Sequence, residues 1–296
     1  ANLGDATHSL FLGQADGTFQ PAIQIAAGTA PTSAVVADFN RDGSADLGFT
    51  DLSSNSVEVL LGRGNASFLT QPAQSSSTKV YQVTSADFNG DGRLDLATVN
   101  YSQNDVLVLL GNQDGTFRFG GRYSAVADAI CITAGDVNSD GIPDLVTGNY
   151  STADISVLLG AGDGTFGTPQ LFRAGSIPLS LLVADFDGDA ILDVVTVNSG
   201  AAQVSILIGS GDGQFAEPVD YAVDAGASQV TAVDFNQDGR LDLAVTNREA
   251  NSVSILLNVG GGAFAPQLQL NTGLSPSGLA AGDFDGDGVL DLAVAN

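Results

Sequence analysis

An acidic motif recurs six times along this 296-residue chain at an unvarying interval. The first copy reads DFNRDGSADL from Asp38, and the other copies begin at Asp87, Asp136, Asp185, Asp234 and Asp283. Each copy starts 49 residues after the one before, so no insertion or deletion separates them. A period of this length is typical of folds that repeat one supersecondary unit. Because the repeats fill the chain, we expect a single domain over residues 1–296.

One repeat, residues 82–130, contains four short β-prone segments and no helical periodicity. The acidic motif follows the first segment as a loop. Residues 94–100, 106–110 and 117–123 provide the other three segments, and an Asp114-Gly115 turn separates the last two. Four strands in 49 residues predict a blade of a β-propeller. The chain has no Trp, which excludes the WD type of blade.

The two ends of the chain are in phase with each other. Residues 3–19 align with residues 101–117, which form the second loop, third strand and turn of a repeat, whereas the last copy stops after its second strand. We therefore predict an all-β fold, a six-bladed β-propeller of four-stranded blades closed by a composite blade of N- and C-terminal strands. Closure in this way would remove exposed sheet edges. A piece cut from a longer or seven-bladed array is the alternative.

The loop pattern D-x-[DN]-x-D-[GA]-x-x-D has the spacing of a hard-cation site. Side chains at loop positions 1, 3, 5 and 9 and the backbone carbonyl at position 7 would supply oxygen ligands. Position 12 is not acidic, and strands flank the loop, so it is not an EF-hand. All-oxygen ligation disfavours zinc and copper, and a cage made only of protein suits Ca²⁺ better than Mg²⁺. We expect up to six Ca²⁺ ions.

The predicted calcium ligands are the residues at positions 1, 3, 5, 7 and 9 of each loop. In chain order they are Asp38, Asn40, Asp42, Ser44, Asp46, Asp87, Asn89, Asp91, Arg93, Asp95, Asp136, Asn138, Asp140, Ile142, Asp144, Asp185, Asp187, Asp189, Ile191, Asp193, Asp234, Asn236, Asp238, Arg240, Asp242, Asp283, Asp285, Asp287, Val289 and Asp291.

Two features of the chain bear on the prediction of calcium sites. A second Asp-Gly series lacks the surrounding acids and is interpreted as ordinary turns, at Asp16, Asp114, Asp163 and Asp212. In the fourth acidic loop Ala190 replaces the Gly of position 6. A positive φ there would cost Ala on the order of 1 kcal/mol, so we expect a bound but distinct site.

The negative charge of the chain disfavours some classes of binding partner. Three acidic residues in each loop, and a fourth in two of them, account for 20 of the 34 Asp and Glu residues, and the formal net charge is −25. Such a surface should repel nucleic acid and anionic membranes. No stretch approaches 18 apolar residues, so we expect no membrane insertion. The single cysteine, Cys131, allows no intrachain disulfide, and we interpret it as structural.

The repeated D-F-N-x-D-G-x-x-D-L motif resembles the FG-GAP/VCBS repeat family, and the resemblance covers the whole chain. That family includes the β-propeller head of integrin α subunits and many bacterial secreted proteins, some lectins among them. The resemblance implies calcium at the loop positions given above and a ligand on the opposite face of the ring. Two departures set the chain apart from integrins: six blades instead of seven, and only a partial Gly-Ala-Pro element in residues 260–266.

These features predict a calcium-stabilised, non-catalytic binding or adhesion module of a secreted or cell-surface protein, monomeric as a domain. It would recognise a protein or glycan through the face opposite the calcium loops. That face is expected to carry Tyr101, Tyr150, Arg248, Glu249 and His8. Millimolar calcium outside the cell agrees with the extracellular location, because extracellular calcium modules bind at about 10⁻⁴ to 10⁻³ M.

Two alternatives belong to other classes. A polysaccharide lyase or hydrolase on a propeller would need an acid and a base in a cleft, and the acids outside the loops form no evident pair. An engineered or recently amplified scaffold, with calcium as its only ligand, would explain the lack of insertions. The Asn residues that recur where the second loop begins are interpreted as turn or left-handed positions, at Asn100, Asn149, Asn198 and Asn247.

Overall fold

The structure, a computed structural model, describes residues 7–14, 18–26, 28, 30–76, 79–125 and 128–296. These residues form β-strands joined by turns and loops, and the all-β prediction is confirmed. Within them no helix is long and apolar enough to cross a bilayer. The turn predicted at Asp16-Gly17 lies outside the described residues, as do the first four residues of the predicted N-terminal alignment.

Five antiparallel blades lie between two half-blades, each a pair of strands. The main sheet has four strands in blades 2 to 5 and five in blade 1, where β6 and β7 both pair with β5. The N-terminal half-blade contains β1 (Thr7–Leu10) and β2 (Ile23–Ala26), and the C-terminal half-blade contains β26 (Gly278–Gly282) and β27 (Asp291–Ala295). Blade 1 contains β3 (Pro31–Ala37), β4 (Asp46–Asp51), β5 (Ser56–Gly62), β6 (Phe68–Thr70) and β7 (Gln74–Ser75); blade 2 contains β8 (Val80–Ala86), β9 (Asp95–Asn100), β10 (Asp105–Gly111) and β11 (Phe117–Ser124); blade 3 contains β12 (Ala129–Gly135), β13 (Asp144–Asn149), β14 (Asp154–Leu158) and β15 (Gln170–Arg173). Blade 4 contains β16 (Pro178–Ala184), β17 (Asp193–Asn198), β18 (Gln203–Leu207) and β19 (Val219–Ala222), and blade 5 contains β20 (Ala227–Val233), β21 (Asp242–Asn247), β22 (Ser252–Leu256), β23 (Asn258–Gly260), β24 (Ala263–Phe264) and β25 (Leu268–Asn271).

The second strands of blades 2 to 5 are buried on both faces. All six residues of β9, β13, β17 and β21 are buried. Such a strand lies between two neighbouring blades, so its side chains meet apolar surface in both directions. This explains why these segments read as nearly continuous apolar runs, with little of the alternation that marks a sheet with one wet face.

Six apolar clusters hold the units together, and each lies between two adjacent units. Between blades 1 and 2, for example, Val59 packs in one cluster with Leu107. The other clusters join blades 2 and 3, 3 and 4, and 4 and 5, and each half-blade to its neighbouring complete blade. Burial of these side chains between units is the main favourable term for the fold, since it removes apolar area from water.

The first strands of the five complete blades and of the C-terminal half-blade surround one cavity of about 640 Å³. Neighbouring first strands are also joined by side chains. Gln82 accepts a hydrogen bond from the N–H of Ile132 at 2.8 Å, and Gln229 accepts one from Leu279 at 3.0 Å. The six units therefore form a β-propeller around a central cavity, as predicted.

The closing blade differs from the other five. β26 and β27 pack on blade 5, and β1 and β2 pack on blade 1. Among the described residues no strand ladder joins β27 to β1. The rings of Phe19 and Phe284, one from each half-blade, lie 6.2 Å apart. The predicted composite blade is thus present as two halves, each held by the apolar face of its neighbour.

Candidate metal centres and the opposite face

The backbone of the acidic loops is curled by left-handed residues at two positions. At position 6 the five glycines have φ between +80° and +86°, and Ala190 has φ +69°. The positive φ expected for Ala190 is confirmed. Position 4 is left-handed as well, with φ +60° at Arg41 and +59° at Gln237. Sequence reasoning missed position 4, although the glycines at 90, 188 and 286 signalled it.

In each loop, acidic side chains accept hydrogen bonds from backbone N–H groups of the same loop. In loop 1, Asp38 accepts a hydrogen bond from the N–H of Gly43 at 2.8 Å, and Asp42 accepts one from Ser44 at 2.8 Å. The same two bonds recur in all six loops. These bonds curl the backbone around the carboxylates at positions 1 and 5.

The carboxylate at position 9 joins the loop to the third strand of its blade. In loop 2 the Oδ2 of Asp95 accepts from the N–H of Phe88 at 2.9 Å, and its Oδ1 accepts from Gly111 at 2.7 Å. Loops 1, 3, 4 and 5 repeat both contacts. Sequence reasoning assigned position 9 to the metal alone. The structure adds a second role, because the same carboxylate also accepts two backbone hydrogen bonds.

Burial of the position 9 carboxylates has an electrostatic cost. These side chains are buried in loops 1 to 5. Burial raises the pKa of Asp95, Asp144 and Asp193 to about 6, against the lowering effect of their backbone hydrogen bonds. A nearby cation would favour the charged carboxylate, so the pattern fits a metal site.

Loops 4 and 6 gather three carboxylates most closely. Oxygen atoms of Asp185, Asp187 and Asp193 lie within 4.8 Å of one another, as do those of Asp283, Asp285 and Asp287. Burial and the charges of Asp189 and Asp185 raise the pKa of Asp187. Oxygen donors in this number and at this spacing match the ligand preference of Ca²⁺.

In the other four loops the position 5 carboxylate already has a side-chain donor. Asn40 donates to Asp42 at 3.0 Å in loop 1, and Asn138 donates to Asp140 at 2.9 Å in loop 3. Arginine at position 7 takes this role in loops 2 and 5: Arg93 lies 3.2 Å from Asp91, and Arg240 pairs with Asp238. Only the carbonyl of position 7 entered the sequence prediction, so these ion pairs were missed.

The face opposite the acidic loops is built from the loops between second and third strands and between blades. There Arg248, Glu249 and Asn251 line a cavity of about 640 Å³ beside blades 4 and 5. Tyr150 is exposed and Tyr101 is half-buried. His8 is only 7 % exposed and its ring lies 4.7 Å from that of Phe49. The expectation that His8 forms part of the exposed face is therefore wrong.

The recurring Asn residues are not left-handed turn positions. Asn100, Asn149, Asn198 and Asn247 are fully buried ends of second strands, and Asn149 donates to Ser156 of the third strand at 2.8 Å. The left-handed position lies four residues further on. The left-handed part of the interpretation is wrong. The turn part holds for the backbone, since the carbonyl of Asn149 accepts the N–H of Ala153, while the side chain joins the strand pair. Cys131 is fully buried, and burial raises its pKa to about 12, so its structural interpretation holds.

Comparison with known families identifies the repeat. The pattern described as an FG-GAP-like repeat matches residues 2–49, 47–98, 87–147, 136–196, 185–245 and 234–294. No protein of curated function matches the chain in sequence.

Several solved structures share the fold. A lectin of Agrocybe aegerita, described as specifically recognising non-reducing terminal N-acetylglucosamine, is 21 % identical with a TM-score of 0.63, over 98 % of this chain and 80 % of that one. A Lactobacillus plantarum protein is 12 % identical with a TM-score of 0.72, over 92 % and 80 %. Virginiamycin B lyase from Staphylococcus aureus is 14 % identical with a TM-score of 0.56, over 97 % and 95 %. At these identities the likeness extends to the fold alone.

Proposed function

Since the chain belongs to the FG-GAP-like repeat family, we propose that it is a calcium-stabilised, non-catalytic binding or adhesion module of a secreted or cell-surface protein. Its ligand is a protein or glycan, held on the face opposite the acidic loops. With a net charge of −25 the module binds neither nucleic acid nor anionic lipid, and it acts as a monomeric domain.

The main support for calcium binding is the cluster of three carboxylates in loop 4. Oxygen atoms of Asp185, Asp187 and Asp193 within 4.8 Å would repel one another without a cation. The position 9 carboxylate, Asp193, also accepts a hydrogen bond from the N–H of Gly209, two residues after the end of β18. A Ca²⁺ ion held by this loop would therefore fasten the first, second and third strands of the blade together.

The expected stabilisation is large when summed over the ring. At ~2 mM calcium and a Kd of ~10⁻⁴ M, each occupied site would stabilise the folded state by roughly 1.8 kcal/mol. Several such sites approach the whole free energy of unfolding of an ordinary domain, about 5 to 15 kcal/mol.

Thermal unfolding with 2 mM calcium and with EDTA tests this part. We expect a midpoint many degrees higher with calcium, and little recovery when magnesium replaces it. The double variant Asp185→Asn/Asp187→Asn should lose part of the calcium-dependent shift. Asp163→Asn, in one of the ordinary turns, is the matched control and should keep the whole shift. Equal midpoints in calcium and EDTA would refute a calcium-stabilised module.

The binding part is supported by the difference between the two faces. The acidic loops repeat one geometry, whereas the residues after the second strands vary from Tyr101 and Tyr150 to Ser199 and Arg248. A constant structural face and a variable opposite face suit recognition on the latter. The Agrocybe aegerita lectin offers a precedent for sugar recognition on this fold only.

The non-catalytic part is supported by the state of the one histidine. His8 is buried, and burial lowers its pKa to about 4, so its imidazole is poorly placed to exchange a proton with a substrate. An array of glycans and extracellular-matrix proteins, probed with the calcium-loaded protein, tests recognition. Retention of none of them would contradict the binding module, and turnover of an arrayed polysaccharide would favour the lyase alternative.

A further inference from the structure

Three of the five tyrosines in the chain lie on the face opposite the acidic loops, in the neighbouring blades 2 and 3. Tyr81 and Tyr101 flank the end of the β8–β9 pair, where Val80 lies opposite Asn100, and their rings are 5.5 Å apart. Tyr150 occupies in blade 3 the position that Tyr101 occupies in blade 2. Tyr81 also lines the central cavity.

Asp128 links the tyrosines of the two blades. Its backbone carbonyl accepts a hydrogen bond from the N–H of Tyr150 at 3.1 Å, and its carboxylate accepts one from Ser151. Its charge is the main influence that raises the pKa of Tyr101, followed by burial and by Tyr81 and Tyr150. The N–H of Asp128 also donates to Asn104, in the loop that begins at Tyr101, at 2.7 Å, so Asp128 contacts the loops that carry both tyrosines.

The remaining two tyrosines show what a structural tyrosine looks like in this fold. Tyr123 packs on Phe166 and donates its hydroxyl to the carbonyl of Gly164, and Tyr221 packs on Phe264 and accepts its N–H. Within the described part of the chain, the hydroxyls of Tyr81, Tyr101 and Tyr150 make no such hydrogen bond. Aromatic side chains with a free polar end are suited to a surface that is apolar on one side and wet on the other.

The chemistry of this group favours an uncharged sugar. Tyrosine rings present flat apolar area to the C–H face of a pyranose, and the hydroxyls of the sugar find acceptors in Asp128 and the phenols. The carboxylate of Asp128, on a chain of net charge −25, disfavours sulfated or uronic sugars.

We propose that Tyr81, Tyr101, Tyr150 and Asp128 form a binding platform for uncharged sugar residues of a glycan. This inference rests on the binding module proposed above and specifies its ligand class and site. It does not use the cavity beside Arg248, which is more polar and charged.

Calorimetric titration of the calcium-loaded protein with chitotriose, cellotriose and lactose tests the platform, with a heparin disaccharide as the anionic comparison. The variants Tyr101→Ser and Tyr150→Ser carry the residue that blade 4 has at this position, Ser199, so each should fold. Val219→Ser removes an exposed apolar side chain from the outer strand β19, away from the tyrosines, and is the control. We expect at least one neutral sugar to bind, with affinity reduced about tenfold or more in both tyrosine variants and unchanged in the control.

The other outcomes distinguish failure of the sugar platform from failure of the binding module as a whole. Sugar binding that is unaffected in both tyrosine variants would overturn the platform and leave the binding module intact. Absence of binding to any neutral sugar, with retention of a matrix protein that depends on the tyrosines, would replace the glycan by a protein ligand and overturn the platform as stated. Absence of binding to sugars and matrix proteins alike would overturn the platform and the binding module together.

Discussion

The Oδ1 atom of Asp95 accepts a hydrogen bond of 2.7 Å from the backbone N–H of Gly111, sixteen residues later at the end of β10. Its Oδ2 accepts a second one, at 2.9 Å, from Phe88 at the start of the same acidic loop. One buried carboxylate therefore ties the loop between the first two strands to the third strand. Both hydrogen bonds are made to backbone N–H groups of the protein, so their contribution can be measured in EDTA, apart from that of calcium.

Replacing Asp95 by Ala should destabilise the protein even in EDTA. The change leaves two buried backbone N–H groups without an acceptor, at a cost of about 1 to 3 kcal/mol each. We expect the free energy of unfolding from urea titration to fall by about 3 kcal/mol. Asp114→Ala, in an ordinary turn whose carboxylate is exposed, should change it by less than about 1 kcal/mol. Equal effects of the two variants would mean that position 9 acts only through the metal.

Replacing Ala190 by Gly should stabilise the protein. Ala190 has φ +69°, in the left-handed region that costs a residue with a Cβ about 1 to 2 kcal/mol, and Gly recovers part of this after its larger entropy in the unfolded chain. We expect a gain of about 0.5 to 1 kcal/mol in urea titrations with EDTA. The reciprocal change, Gly141→Ala at φ +84° with open space around the added Cβ, should cost a similar amount. A loss from Ala190→Gly would contradict the strain.

Replacing Arg240 by Ser should raise the calcium affinity of loop 5. The guanidinium pairs with Asp238, a predicted ligand, so a cation must displace it. A partly exposed ion pair contributes up to about 1 kcal/mol, which corresponds to an affinity gain of up to about fivefold. Calorimetric calcium titration should show one site becoming tighter. Ile142→Ser, at the same position in loop 3 but uncharged, should leave the affinities unchanged; a matching gain there would exclude the ion pair as the cause.

Replacing His8 by Val, the residue found in phase at 57 and 106, should reduce acid sensitivity. Burial lowers the pKa of His8 to about 4 from 6.5, so the unfolded chain takes up a proton between these values while the folded chain does not. Stability from the neutral imidazole is present above pH 6.5 and is lost as the pH falls towards 4. Between pH 7 and pH 5 the wild type should lose about 1 to 2 kcal/mol relative to His8→Val. Parallel pH profiles of the two proteins would contradict this.

Much of the fold was predictable because each repeat carries its own local signals. Apolar segments, Asp-Gly turns and the acidic loops predict four strands per unit, and the constant phase predicts six units. The errors fall where a side chain acts across strands. Asn149 was assigned to a turn, yet it donates to Ser156 on the next strand. His8 was placed on the surface, yet it packs against Phe49 of blade 1.

The sequence by itself determined the repeat, the strand order and the oxygen-rich loops, because backbone propensity and turn chemistry act over a few residues. Only the tertiary structure decided that position 9 fastens the third strand, that Tyr81 stands beside Tyr101, and that the closing blade is divided between two neighbours. These features depend on contacts between residues that are distant in the chain, and on which apolar faces each unit can bury. The spacing of residues along the sequence does not show which distant residues touch or which apolar faces are buried together.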